Sequence, residues 1–335
     1  MKERRASISH IAQSIGVSVG TVSNVLNHPH RVRPQLRERV EAAIKEYGYS
    51  PNAAARALSK GHTNIIGALF FDIANPFFAL AAHDMDAVVS RLGTSILYGN
   101  TEQRVDLEQA AIARMINAGI EGLIITSTGL VSKELIALSR HIPIALFAQR
   151  AAHAKLAFVS VDDYDGMCKV AHHLCEQGME RFCFIHERSD APQHQDRWRG
   201  FCAGVAACGI DPDSIIQTWI PSPTWDDGYD AVAQVTAQNT AALPQCFVCL
   251  NDFVAIGASK ALTDLGMVVG RDIAVTGFDD VPYAAVLGTP ITTVKQPIAQ
   301  MSQYVVHQIL DVINGRSDSV QTKIFPAELV IRASA

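Results

Sequence analysis

Polar and aromatic residues recur where apolar runs of this 335-residue chain give out. Asp72, Asn75, Pro76 and Phe77 follow IIGALFF, and Arg197 opens the helix predicted for RWRGF. Trp225 lies in the loop expected for PSPTWDDGY. Asn251 and Asp252 follow QCFVCL, Asp279 and Asp280 follow IAVTGF, and Gln296 stands in ITTVKQ. Mixed Arg, Asp, Asn and Gln donors and acceptors with Phe71, Phe77 and Trp225 as stacking platforms suit a polyol or a similar polar ring. Each one alone can equally be a cap or turn residue, Asp72, Asp252 and Asp280 above all. Their recurrence at strand ends carries more weight than any member. A second chemistry sits near the N-terminus. Val19, Gly20 and Thr21 open a short predicted helix, with Ser23 and Asn24 further along it. Such side chains can meet base edges or thymine methyls in a major groove, and Thr21 and Ser23 can equally hold phosphate.

Other chemistries are not expected. Cys246 and Cys249 form CFVC, but strand alternation puts them on opposite faces and no second pair follows, so no metal is expected. His172 and His173 are helix neighbours and do not share a face. No phosphate loop, nucleophile elbow or HExxH is present. Asp162-Asp163 and Asp226-Asp227 read as caps or surface loops. With no assembled nucleophile, base and oxyanion site, neither an enzyme nor a cofactor is expected.

The elements that must position the N-terminal residues follow from spacing. Ser7 can cap a helix near 8–15, with Ile8, Ile11, Ala12 and Ile15 on one face. Gly16 permits a tight turn. Ser18 can cap a second helix near 19–26, with Val22, Val25 and Leu26 inward. A third helix follows Pro34, near 35–47, with Val40, Ala43, Ile44 and Tyr47 inward. This is helix-turn-helix spacing. Arg31, Arg33, Arg37 and Lys45 suit the phosphate backbone or ordinary solvated surface. The segment NAAARALSKG, 52–61, is Ala-rich and short, so a helix there is marginal without a partner. Its Leu58 can wedge into a minor groove or pack onto the rest of the protein.

Charge divides along the same boundary. The net −5 splits into +6 for residues 1–62, which hold ten Lys/Arg and four Asp/Glu, and −11 for the rest. A basic segment on an acidic body suits a nucleic-acid headpiece. A hydrophobic content of 48% with 18% charged residues supports a large core. Seven cysteines, none in the first half, do not form a secreted disulfide framework. MKERRASISH is basic with no apolar signal core, and no apolar run reaches membrane-spanning length, so a cytoplasmic protein is expected.

The strings GVSVGTVSNVLN, YSPNAAARAL and NPFF, in this order, resemble the opening of the lactose/galactose-repressor (LacI/GalR) family, and the similarity runs on to the C-terminus. The resemblance implies a repressor that dimerises through its body and reads a near-palindromic double-stranded operator. It makes Leu58 the hinge wedge, sets Ala55 on the minor-groove face and adds Asn52, Arg56 and Ser18 to the DNA contacts. Val19 and Gly20 fall where the family varies its sequence-reading residues. Asn24 stands where the family commonly has Arg, which points to adenine rather than guanine. The resemblance also places Arg197, Asn251, Asp279 and Gln296 in an effector pocket. Gln149 stands where relatives often have Asp, beside a retained Arg150, which alters the expected recognition of sugar hydroxyls.

The fold class expected is α/β: an all-helical helix-turn-helix headpiece (1–50), a hinge helix and linker (51–62), and a two-lobed, periplasmic-binding-protein-like body with parallel sheets. Its N-lobe is expected at 63–160, its C-lobe at 161–290, and a crossover segment at 291–335 shared by both. Apolar runs without alternation suit sheets covered on both faces, with ligands at the C-terminal strand ends. The function implied is a regulator, most simply a repressor, whose operator affinity responds to a small polar effector, a sugar first. A solute-binding module without DNA function, or a regulator using a purine or protein corepressor, are the alternatives. The absence of a heptad tail favours a homodimer over a coiled-coil tetramer.

Overall fold

A computed structural model describes residues 7–49, 62–128, 133–150, 156–188, 191–238 and 243–335. It contains two compact units, Met1–Thr63 and Asn64–Ala335. The expected hinge residues Asn52, Ala55, Arg56 and Leu58 lie outside the described residues.

The first unit is a three-helix core. Helix α1 (Ile8–Ser14) is capped by Ser7, which accepts from the His10 N–H at 3.2 Å. Helix α2 (Val19–Asn27) is capped by Ser18, and α3 (Pro34–Glu46) begins on a proline at its first position. Ile11, Ala12, Val22, Val25, Val40 and Ala43 are buried together. Arg39 donates from Nη2 to the Ile15 carbonyl at 3.0 Å, tying α3 to the end of α1. Tyr47 departs from the expected inward stripe. It is exposed and meets the edge of the His10 ring at 5.3 Å.

The second unit holds two parallel sheets. Its first lobe contains β1 (Ile65–Phe70), α4 (Pro76–Leu92), β2 (Ser95–Asn100), α5 (Val105–Asn117), β3 (Leu123–Ile125), α6 (Lys133–Leu138), β4 (Ile144–Phe147) and β5 (Ala157–Val161). The second contains α7 (Asp163–Glu176), β6 (Phe182–Glu187), α8 (Pro192–Ala207), β7 (Ile216–Ile220), α9 (Trp225–Gln238), β8 (Cys246–Cys249), α10 (Asp252–Asp264), β9 (Ala274–Thr276) and α11 (Pro282–Val286). The last elements are β10 (Thr293–Lys295), α12 (Ile298–Ile313), β11 (Lys323–Phe325) and β12 (Glu328–Val330). The sheet orders are β11-β5-β4-β3-β1-β2 and β7-β6-β8-β9, with β10 paired to β12. Strands buried throughout, such as Cys246–Cys249, are apolar on both faces because helices cover both sides.

The chain after β9 serves both lobes. Helix α12 packs against α4, and β11 joins β5 in the first sheet. Beyond β12, Val275 donates to the Ser334 carbonyl at 3.0 Å in the second lobe. The element β7–α9 has no counterpart in the sequence reading, and Trp225 starts a helix instead of sitting in a loop. The pattern PSPTWDD hides this start because turn residues also open helices. Cys246 and Cys249 lie in separate clusters, the first with Phe182 and Phe184, the second with Phe247 and Ile185. Among the described residues, no helix is long and apolar enough to cross a membrane.

Asp252, expected as a cap or turn residue, is fully buried and clasps the chain that follows β9. It accepts from the Thr293 hydroxyl at 2.5 Å and from the Val281 N–H at 2.8 Å. Asp252→Ala leaves two buried donors unmet and is predicted to cost about 2–4 kcal/mol. The measurement is the urea midpoint of the full chain. A midpoint equal to that of the unaltered chain would contradict the clasp.

Candidate functional site

Two surfaces could carry function, one in each unit. In the headpiece, Val22 and Val25 turn α2's other face outward. Val19 is 44% exposed, and Gly20 and Asn24 are exposed beside it. Ser18 Oγ accepts from the Thr21 N–H at 3.0 Å, and the two hydroxyls lie 2.9 Å apart. Both hydroxyls therefore serve the cap, and Val19 and Asn24 are the long side chains presented by the helix start. Ser23 is half-buried, and Arg31 is exposed in the short turn Pro29–Arg31. Arg37 faces Glu41 at 3.4 Å.

In the second unit a crevice partly open to solvent lies between the lobes. Its walls are strand ends. Phe71 follows β1, Gln103 follows β2, Thr126 follows β3 and Ala148 follows β4. Across from them Glu187 ends β6, Asn251 follows β8 and Asp279 follows β9, and Gln296 follows β10. The first turns of α4 and α8 add Phe77, Phe78, Gln193 and His194, and the second turn of α8 adds Arg197. All the strands of each main sheet run the same way, so their C-terminal ends converge on one crevice.

Arg197 is the centre of the polar set. Its Nε lies 2.8 Å from Asp163 Oδ1, its Nη1 donates to the Leu250 carbonyl at 2.6 Å, and its guanidinium stands 3.6 Å over the Phe278 ring. Asp163 departs from the expected cap or surface role. Asp162 takes the cap, accepting from the Asp165 N–H, while Asp163 is buried against Arg197. Gln296 Nε2 donates to Asp279 Oδ1 at 2.7 Å. Asn251 Oδ1 accepts from the Val254 N–H at 2.8 Å as the cap of α10, which leaves its amide nitrogen as the group able to donate to a ligand. Gln193 Oε1 is buried with no hydrogen-bond donor, an acceptor at the wall of the crevice. His194 Nδ1 meets Glu187 Oε2 at 2.9 Å.

Backbone strain concentrates here. Six non-glycine residues among those described have positive φ, and three of them, Gln103, Ala148 and Asp279, line the crevice. Such conformations cost energy and persist where surrounding contacts fix them.

Of the residues singled out in the sequence, Phe71, Asn75, Phe77, Arg197, Asn251, Asp279 and Gln296 meet at the crevice, and Asp72, Gln149, Arg150 and Trp225 do not line it. Asp72 Oδ1 accepts from the Ala74 N–H at 2.9 Å in a turn. Gln149 is buried and clasps one residue's backbone, accepting from the Ser127 N–H at 2.8 Å and donating to the Ser127 carbonyl at 2.9 Å. An amide can do both at once, whereas an ionised carboxylate only accepts. Arg150 reaches across to Asp196 of α8 at 2.6 Å. Trp225 lines a separate apolar groove with Ile256, Met267 and Leu287. Gln103, Thr126, Gln193 and His194 were not expected. The one sequence signal was that Gln193 precedes Arg197 by four residues, on one helix face.

Burial pushes the Asp279 carboxyl up from 3.8 to about 7; Arg197 and the Gln296 hydrogen bond pull partly the other way, and the Asp163 charge adds to the rise. Burial also raises Asp163 and Asp252. Between about pH 4 and 7 the folded state therefore holds a proton at Asp279 that the unfolded chain has released. This group's contribution to stability is greatest at the acid end of that window and declines as pH rises through it. Asp279→Asn is predicted to flatten the dependence of the unfolding midpoint on pH between about 4 and 7. An unchanged slope would contradict the assignment.

Comparison with known proteins finds relatives for both units. The model of bacterial regulatory proteins of the lacI family matches residues 7–52, and that of the periplasmic binding protein-like domain matches residues 171–335. The transcriptional regulator GalR of Escherichia coli is 29% identical, covering 98% of this chain and 95% of GalR. GalS of Salmonella typhimurium is 30% identical, covering 98% and 96%. The lac repressor dimer bound to operator and the anti-inducer ONPF superposes with a TM-score of 0.84 at 24% identity, over 99% of each chain. The chain therefore belongs to the LacI family of bacterial transcriptional regulators.

Proposed function

We propose that this chain is a cytoplasmic repressor that binds a near-palindromic operator as a homodimer and is released from it by a small, polar, hydroxyl-rich effector, a sugar or sugar derivative, held in the crevice between the lobes. The observation that carries the effector assignment is the convergence of Arg197, Asn251, Gln193 and Asp279 at one set of strand ends, with Phe77 beside them. Rings bearing hydroxyls match alternating donors and acceptors over an apolar floor. The candidate DNA contacts are Ser18, Val19, Gly20, Thr21, Ser23, Asn24 and Arg31, with Asn52, Ala55, Arg56 and Leu58 of the linker. An effector shifts operator affinity only through a difference in its affinity for two arrangements of the lobes.

Selection of bound sequences from a random duplex pool with the full-length chain tests the DNA side. A palindrome with a deformable central step is the expected result, and enrichment of no specific sequence would overturn it. In the same selection, Asn24→Arg is predicted to move one position of each half-site from adenine towards guanine, a discrimination of about 1–3 kcal/mol. Gln193→Met removes an acceptor that has no partner within the lobe, and is predicted to leave the selected operator unchanged while weakening release by any effector found from a panel of sugars and nucleosides. Release at unaltered effector concentration in that variant would contradict the crevice assignment.

A further inference from the structure

Helices α7 and α8 lie side by side and run in the same direction, and their contact is closer than ordinary side chains permit. A Cβ placed on Gly200 would strike the carbonyl oxygen of Tyr164. One turn on, a Cβ on Gly204 would come within 2.5 Å of the Ala171 Cβ and 3.0 Å of the Cys168 carbonyl oxygen. Cys168 Sγ donates to the Gly200 carbonyl at 3.1 Å along the same seam. The pairs 164/200, 168/204 and 171/204 advance together, so one further turn brings residue 175 opposite residue 208. Both are cysteines. Cys175 lies in the last turn of α7, and Cys208 is the C-cap of α8. The Cys208 thiol is a near enough neighbour to help raise the Cys175 thiol, and neither is in a disulfide. The close backbone approach at Gly200 and Gly204 carries the next pair, 175 and 208, towards the separation that a disulfide demands.

We propose that Cys175 and Cys208 form a reversible disulfide on exposure to a hydroperoxide, which makes this helix pair a redox modification site. Cys208 is exposed and is the sulfur an oxidant can reach, whereas Cys175 is half-buried. The Cys208 thiolate attacks the peroxide O–O bond, forming a sulfenic acid and releasing water or alcohol. The Cys175 sulfur then displaces hydroxide from the sulfenyl sulfur, its proton leaving with that hydroxide as water. Two thiols are oxidised by two electrons and one peroxide is reduced, and a thiol reductant reverses the link. Burial and the neighbouring Cys208 hold the Cys175 thiol up at about 12, so it stays protonated until the partner is activated. The link would staple the far ends of the two helices whose N-terminal halves carry Asp163 and Arg197, the ion pair beside the crevice. Cys183, Cys246 and Cys249 are buried and belong to the sheet of this lobe.

The test uses the full-length chain, treated with hydrogen peroxide, then alkylated under denaturing conditions and digested for mass spectrometry. The proposal expects one crosslinked peptide pair joining residues 175 and 208, lighter by two hydrogens and restored by dithiothreitol. Cys175→Ser is expected to stop the chemistry at a trappable sulfenic acid on Cys208. Cys208→Ser is expected to leave Cys175 open to alkylation. Peroxide that oxidises other cysteines while 175 and 208 remain alkylatable would overturn the proposal. So would links that join either one chiefly to Cys168, Cys202 or a second chain.

Discussion

The second unit depends on how a guanidinium is held away from water. Arg197 is buried, and a buried cation is costly unless charge and hydrogen bonds surround it. Asp163 supplies the charge from α7, Leu250 a carbonyl from the end of β8, and Phe278 a ring face next to β9. Three separate stretches of the second lobe are thus fixed to one side chain on α8. The same side chain borders the crevice, so the device that orders the lobe also presents a donor to a ligand.

A second constraint is the direction of the strands. Parallel strands put all their C-terminal ends on one edge, and the helices that follow open there with unmet N–H groups. Two such sheets facing each other make a crevice whose lining is polar while its floor stays apolar. The positive φ angles at Gln103, Ala148 and Asp279 show the chain bending sharply at that edge. The clasp of Asp252 on Thr293 and Val281 holds the bend after β9 and keeps Asp279 and Gln296 in hydrogen-bond reach.

Much of this was legible in the sequence because it rests on periodicity. Buried faces of α1, α2 and α3 follow from three-and-four spacing, and the apolar strands from uninterrupted Ile, Val, Leu and Phe. Asn251, Asp279 and Arg197 were readable as a set because each follows or faces a strand end. What failed depends on tertiary partners. Asp163 looks like any cap residue until α8 brings Arg197 beside it. Gln149 looks like a ligand contact until its amide closes on the backbone of Ser127. Trp225 looks like a loop aromatic because helix openings and loops share Pro, Ser, Thr and Asp. The strand Ile216–Ile220 alternates half-buried and exposed positions before its buried last residue, at a sheet edge, which removes the apolar run that marked the others.

The central claim is that occupancy of the crevice and grip on the operator are two ends of one equilibrium. Linkage makes this quantitative, because the factor by which an effector changes operator affinity must equal the factor by which operator changes effector affinity. The most direct measurement is calorimetric titration of a crevice ligand into the full-length chain, free and saturated with operator duplex, beside operator binding at zero and saturating ligand. The account predicts weaker ligand binding on the operator-bound protein, by the same factor as the loss of operator affinity. Equal ligand affinity in both titrations, with the crevice occupied, would contradict it.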